Sequence, residues 1–216
     1  MAQSVSRALP PLMRHWSASW ISGLLWLAVC LAAASVMMSY DFIAGRLGSR
    51  QAAWPVATSL ARQPNRTTIV AFLHPRCVCS QATVTQLLRT VRAHPGADLI
   101  VPVFTPPDAM EAGAWRESAY VTTIRAAVPS ARIVSDVGGT EAERFGAYTS
   151  GTVLVYNAAG REIFRGGITN RRGGEDDNRG LRQLTQALTE AGAVQAQPSP
   201  VFGCPLVAPE RAGVRR

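Results

Sequence analysis

Between residues 17 and 40 no side chain carries a charge, and residues 21–38 are dominated by Leu, Ala, Val, Met and Trp on every face. That length and pattern predict a membrane-crossing helix over residues 17–40, with Trp16, Trp20 and Tyr40 placed for the interfaces, after an N-terminal tail of residues 1–16. The pattern then changes. Residues 41–66 hold Gly45, Gly48, Pro55 and Pro64 with little periodicity and read as a linker. Residues 67–73 form a continuous apolar, β-branched run, as expected of a strand buried on both faces of a mostly parallel sheet. Val84, Leu87, Leu88 and Val91 recur at helical spacing, and Pro95-Gly96 closes that helix. A strand at 99–104 is stopped by Pro106-Pro107. A helix is expected over 109–128, with Asp108 as its N-cap and Pro129 beyond its end. A short strand at 132–135, a turn at 136–139 and a helical turn at 140–145 follow. The strand at 152–156 is joined through 157–160 to an antiparallel partner at 162–165. A loop at 171–178 leads to a last helix through Leu181, Leu184 and Leu188. This order predicts an α/β sandwich with a mixed central sheet over residues 67–192, followed by a Pro-rich tail, 193–216.

The side of the membrane is weakly encoded, because Arg7 and Arg14 before the apolar stretch are answered by Arg46 and Arg50 after it. A short basic tail ahead of a single span ordinarily stays in the cytoplasm, which exports the domain. The competing reading is a cleavable signal ending near Ala32-Ala33-Ala34, and it exports the domain too. The apolar character continues through Val36-Met37-Met38, which favours an anchor. Only a reversed anchor would leave the domain in the cytosol. Export matters because disulfide chemistry persists in oxidising compartments. The formal charge of +8 comes from arginine alone, without a single lysine, and these arginines are scattered rather than striped with aromatics. They fit a GC-rich genome and a solvated surface, with Arg46 and Arg50 near lipid headgroups, and argue against nucleic acid as a partner.

Candidate chemistry centres on His74-Pro75-Arg76-Cys77-Val78-Cys79-Ser80. A strand ending near Leu73 and a helix starting near Cys79 put both sulfurs at a helix N-terminus, where unpaired N–H groups and the macrodipole favour a thiolate, with Arg76 adding positive charge. A Cys77–Cys79 disulfide closes a very small ring and is expected to be strained and oxidising. Cys204 lies in a Pro-bounded tail that can fold back. A bridge from it to the loop would close more than a hundred residues, worth roughly 4 to 5 kcal/mol in the chain-entropy picture, so a structural staple and a second resolving thiol both stand. His74, Cys77, Cys79 and Cys204 also form a candidate Cys₃His set for zinc or Cu(I). Otherwise His74 orients or titrates near the thiolate. Cys30, within the apolar stretch, is given no role. Gly166-Gly167 and Gly173-Gly174 lack the Lys and Ser/Thr of a phosphate loop. Asp176-Asp177 suits a helix N-terminus, Trp115 and Tyr120 suit a core, and His15 and His94 suit solvent.

These residues resemble the thioredoxin-like superfamily over roughly residues 67–192: strand, cysteine loop, helix, then a late hairpin and terminal helix, with Cys77 at the attacking position. Phe72-Leu73-His74-Pro75-Arg76-Cys77, Arg144-Phe145-Gly146-Ala147 with Thr149-Ser150-Gly151, and Val201-Phe202-Gly203-Cys204-Pro205 are similar to membrane-anchored, RedB-like bacterial proteins. The resemblance implies a three-layer thioredoxin-like sandwich on a single-pass bacterial inner-membrane helix, with the domain in the periplasm. It further implies exchange with protein thiols and disulfides by attack of Cys77 and resolution by Cys79, without an organic cofactor. The chain also departs from the superfamily. Ser80 stands where Cys-x-x-Cys needs its second cysteine, Gly151 where a cis-proline faces the site, and Ala71 where a buried acid is usual. A peroxidase would need Thr at His74. Two other classes stay open: a copper or zinc module on the same cysteines, and a tethered interaction domain with a structural disulfide.

Overall fold

A computed structural model describes residues 11–107, 118–190 and 197–208 and divides into two units, Met1–Asp41 and Phe42–Arg216. The first contains helix α1, Pro11–Asp41. Within it Ser19–Asp41 is long and apolar enough to cross a membrane, with a mean hydropathy of 2.2 and side chains from Trp20 to Met38 open on every face. A helix apolar all round in this way has no aqueous face to present. Cys30 lies within it.

The second unit is built on a five-stranded sheet of β1 (Thr68–Phe72), β2 (Asp98–Thr105), β3 (Arg132–Val137), β4 (Thr152–Tyr156) and β5 (Glu162–Gly166), in the spatial order β3-β2-β1-β4-β5. β1, β2 and β3 run parallel, while β4 is antiparallel to both β1 and β5. Helices α2 (Ser80–Ala93), α3 (Ala119–Ala127), α4 (Thr140–Arg144) and α5 (Arg179–Thr189) complete it. The mixed sheet, the β4-β5 hairpin and the terminal helix make this the expected thioredoxin-like sandwich. The expected N-terminal part of α3, with Asp108 and Trp115, lies outside the described residues, as do residues 1–10, 191–196 and 209–216.

Alternation along β1 sorts its side chains between two cores. Ile69, Ala71 and Leu73 pack with Val84, Leu87 and Val91 of α2, Tyr120, Val121 and Ile124 of α3, and Leu184 and Ala187 of α5. Val70 and Phe72 pack on the other face, with Ala142 of α4 and Phe145. That second face carries only one short helix, and chain outside the regular elements finishes it: Trp54, Leu60, Leu206 and Val207. Trp54 meets Phe145 and Tyr156 edge-on, at centroid separations of 5.1 and 4.9 Å.

This corrects the reading of residues 41–66 as a bare linker. Periodicity cannot detect such a segment, because it packs isolated side chains rather than a stripe. Residues 42–66 are further tied down by Thr58 and Ser59 bonding the Glu141 carboxylate, and by the Arg50–Glu162 pair at 3.5 Å. Arg46 lies over the Tyr148 ring. Both arginines expected at a lipid surface are therefore engaged with the domain. At the sheet's far edge, Arg165 is wholly buried and donates to Glu162 and to the Phe145 carbonyl at 2.9 Å. Asn178 caps α5, its side chain accepting from Leu181 N at 2.9 Å, and Asp176 and Asp177 pair with Arg171 and Arg182. His94 accompanies the end of α2, with Nδ1 2.9 Å from the Thr90 carbonyl oxygen, rather than being merely solvated.

Candidate active site

The parallel β1 delivers the cysteine loop to the start of α2. Leu73 N donates to the Pro102 carbonyl, Cys77 N to the His74 carbonyl at 3.0 Å, and Ser80 N to the Cys77 carbonyl at 3.0 Å, which winds residues 74–80 into a tight entry to the helix. Cys79 is the α2 N-cap, already in helical conformation and offering no side-chain cap. All four cysteines are free thiols.

Cys77 is 2 % exposed. Burial pushes its thiol pKa up, but the hydroxyl of Ser80, the thiol of Cys204 and the backbone N–H groups of Cys204 and Ser80 outweigh it and bring the pKa below the ordinary thiol value. Donors aimed at one sulfur favour its charged form, so Cys77 is the group set up as a thiolate. Its partners move the other way. Burial and the neighbouring Cys77 charge raise Cys79, opposed by Arg172. Burial, the bond to Cys77 and the charges of Cys77 and Cys79 push Cys204 up to about 12, again opposed by Arg172.

Behind the sulfur runs a directional hydrogen-bond chain. Ser150 Oγ accepts from His74 N at 2.8 Å and lies 2.7 Å from Ser80 Oγ. When Cys77 is a thiolate, Ser80 gives it its one hydroxyl proton, and Ser150 then supplies the proton between the two oxygens. Gly151 follows at φ +89°, a backbone that excludes proline, and its N–H reaches the Phe72 carbonyl at 2.8 Å. A Cβ there would lie 3.0 Å from Thr83 Oγ1.

Several expectations are revised. Cys77 is buried, with the thiol and backbone N–H of Cys204 from the C-terminal segment among the groups that act on its sulfur. Arg76 is exposed, and the pKa of His74 is lowered first by burial and then by the Arg76 charge. The His74 ring stacks on Phe104 at 5.2 Å, and its Nδ1 accepts from Arg76 N at 3.3 Å while its carbonyl accepts from Cys77 N. Among the described residues no group of three His, Cys, Asp or Glu side chains is arranged to hold a metal ion. Tyr120 is a core residue, as read. Ser150 and Arg172 were not singled out from sequence. Ser150 carries no signal beyond standing before Gly151, and Arg172 is one of many scattered arginines.

The mixed sheet with its helices has the thioredoxin-like fold, with the cysteine loop at the start of α2. No protein-family model matches the chain, and no curated protein matches it. Among solved structures it is similar to an uncharacterized conserved protein from Geobacillus kaustophilus, at 15 % identity and a TM-score of 0.53, over 77 % of this chain and 93 % of that one. It is also similar to a hypothetical protein from Sinorhizobium meliloti 1021, at 19 % identity and a TM-score of 0.51, over 76 % and 93 %. A looser likeness is to MTB dsbF in mixed oxidized and reduced forms, at 16 % identity, a TM-score of 0.43, and coverage of 59 % and 81 %.

Proposed function

We propose that this protein is a membrane-anchored thiol-disulfide oxidoreductase, acting on protein thiols and disulfides on the extracytoplasmic side of a bacterial inner membrane. The observation that carries the reading is the Cys77 sulfur, held at the entry to α2 by donors from Ser80 and Cys204. The Cys77 thiolate attacks one sulfur of a substrate disulfide. A Cys77–substrate bond forms as the substrate bond breaks, and the other substrate sulfur leaves as a thiolate. A second thiol of the site then attacks Cys77, releasing the reduced substrate and leaving an internal disulfide; the reverse sequence oxidises a dithiol. Two thiols stand beside Cys77 for that part: Cys79, which the sequence spacing favours, and Cys204. The apolar helix Ser19–Asp41 supports anchoring, and the RedB-like resemblance supports the same placement.

The test uses the full chain in detergent, reacted with oxidised glutathione and with a disulfide-bonded peptide. Wild type is expected to exchange disulfides, and Cys77→Ser to lose that activity. Retained turnover in Cys77→Ser would remove Cys77 from the mechanism.

A further inference from the structure

After α5 the chain returns to the sheet as an extended strap over residues 197–208. Ser199 pairs with Gly166, Val201 with Gly45, and Pro205 with Thr149. Ser150 N donates to the Cys204 carbonyl at 2.8 Å, Leu206 N to the Tyr148 carbonyl at 2.9 Å, and Arg172 Nη1 to the Gly203 carbonyl at 2.8 Å. The fit is close: a Cβ on Gly203 would sit 2.0 Å from the Ser150 carbonyl oxygen. Cys204 is therefore fixed to the backbone of Ser150, whose hydroxyl joins His74 N and Ser80 Oγ on either side of Cys77.

We infer that Cys204 is the resolving thiol, so that the working redox couple is Cys77–Cys204, joining the loop after β1 to the C-terminal strap, and not Cys77–Cys79. This rests on the exchange activity proposed above. Cys79 is held in the first turn of α2, and its bond to Cys77 would close a small, strained ring. Cys204 comes from a separate segment and meets no such constraint. The chemistry also orders the steps. While Cys77 is a thiolate, Cys204 gives it a hydrogen bond and stays protonated. Once Cys77 forms the mixed disulfide its charge is gone. Cys204 then loses its proton to the departing substrate thiolate or to water, beside Arg172, and attacks Cys77 Sγ. The Cys77–substrate bond breaks, and two electrons have passed from the cysteine pair to the substrate disulfide.

Trypsin makes the two couples distinguishable. Cleavage after Arg76, Arg89, Arg182 and Arg211 places Cys77 and Cys79 on one peptide and Cys204 on another. The full chain in detergent is oxidised with oxidised glutathione, digested and mapped by mass. The expected result is a cross-linked pair of peptides 77–89 and 183–211, which Cys79→Ser retains together with turnover. Cys204→Ser is expected to stop at the Cys77–glutathione mixed disulfide. Gly203→Ala, which pushes the strap from Ser150 while keeping the thiol, is expected to accumulate the same species. A 77–79 disulfide within one peptide, with turnover kept in Cys204→Ser and lost in Cys79→Ser, overturns the assignment while leaving the exchange reading standing. A 77–204 bridge that glutathione neither forms nor reduces overturns both, and identifies a staple.

Discussion

Replacing Ser80 with alanine removes one of the donors to the Cys77 sulfur and leaves the thiol of Cys204 and the two backbone N–H groups in place. A hydrogen bond to a charged group contributes about 1.5–3 kcal/mol. At a pH below the thiol pKa of both proteins, that loss reduces the thiolate fraction by about 10- to 160-fold. The thiolate that remains is more basic and more nucleophilic, with a Brønsted slope of about 0.4–0.5, so the alkylation rate falls by only roughly 3- to 20-fold. Ser150→Ala supplies the contrast. It leaves the Ser80–Cys77 bond intact and withdraws only its support, but it strands the buried His74 N–H, at a cost of about 1–3 kcal/mol of stability. The assay is the pH dependence of iodoacetamide labelling at Cys77, located by mass, beside thermal unfolding of the same proteins. Ser80→Ala should slow labelling more, and Ser150→Ala should destabilise more. Labelling unchanged by Ser80→Ala, or slowed more by Ser150→Ala, would refute the hydrogen-bond chain.

Arg165→Met leaves the buried Glu162 carboxylate without its main partner and should cost about 3–5 kcal/mol. That is a fall of roughly 6–20 °C in Tm for a domain of this size, and Arg165→Met/Glu162→Leu should recover most of it in calorimetry. Burial pushes the Glu141 pKa up, but Thr58, Ser59 and Arg144 outweigh it and hold the carboxylate below its usual range. The resulting stability is present above the unfolded carboxylate pKa and lost as pH falls through the lower folded one. The protection factors of the residue 58–60 amides, taken relative to intrinsic exchange at each pH, should therefore fall on acidification, and Glu141→Gln should abolish that pH dependence. A phosphatase active only outside the cytoplasm, fused after Arg216, should be active if the domain is exported. An inactive but intact fusion would place it in the cytosol.

The regular elements were legible because their signals are local. The β-branched run of β1, the 84-87-88-91 stripe of α2 and the Asn157–Gly160 turn each announce themselves within a few residues. The nucleophile was legible for the same reason, as a cysteine between strand and helix. Trp54 and Leu60 were not, because each fills one hole in the second core from an aperiodic stretch. Nor was the covering of Cys77, since the Ser150–Cys204 pairing joins residues far apart in the chain and leaves only Gly151 and Gly203 as traces.

The strap imposes an order in time. A chain made amino end first presents Cys77 and Cys79 more than a hundred residues ahead of Cys204, a lag of roughly 6–25 s at ~5–20 residues per second. Until the strap docks, Cys77 lacks the donors of Cys204 and keeps those of Ser80, so the last described segment to be made completes the set of groups that favour the thiolate.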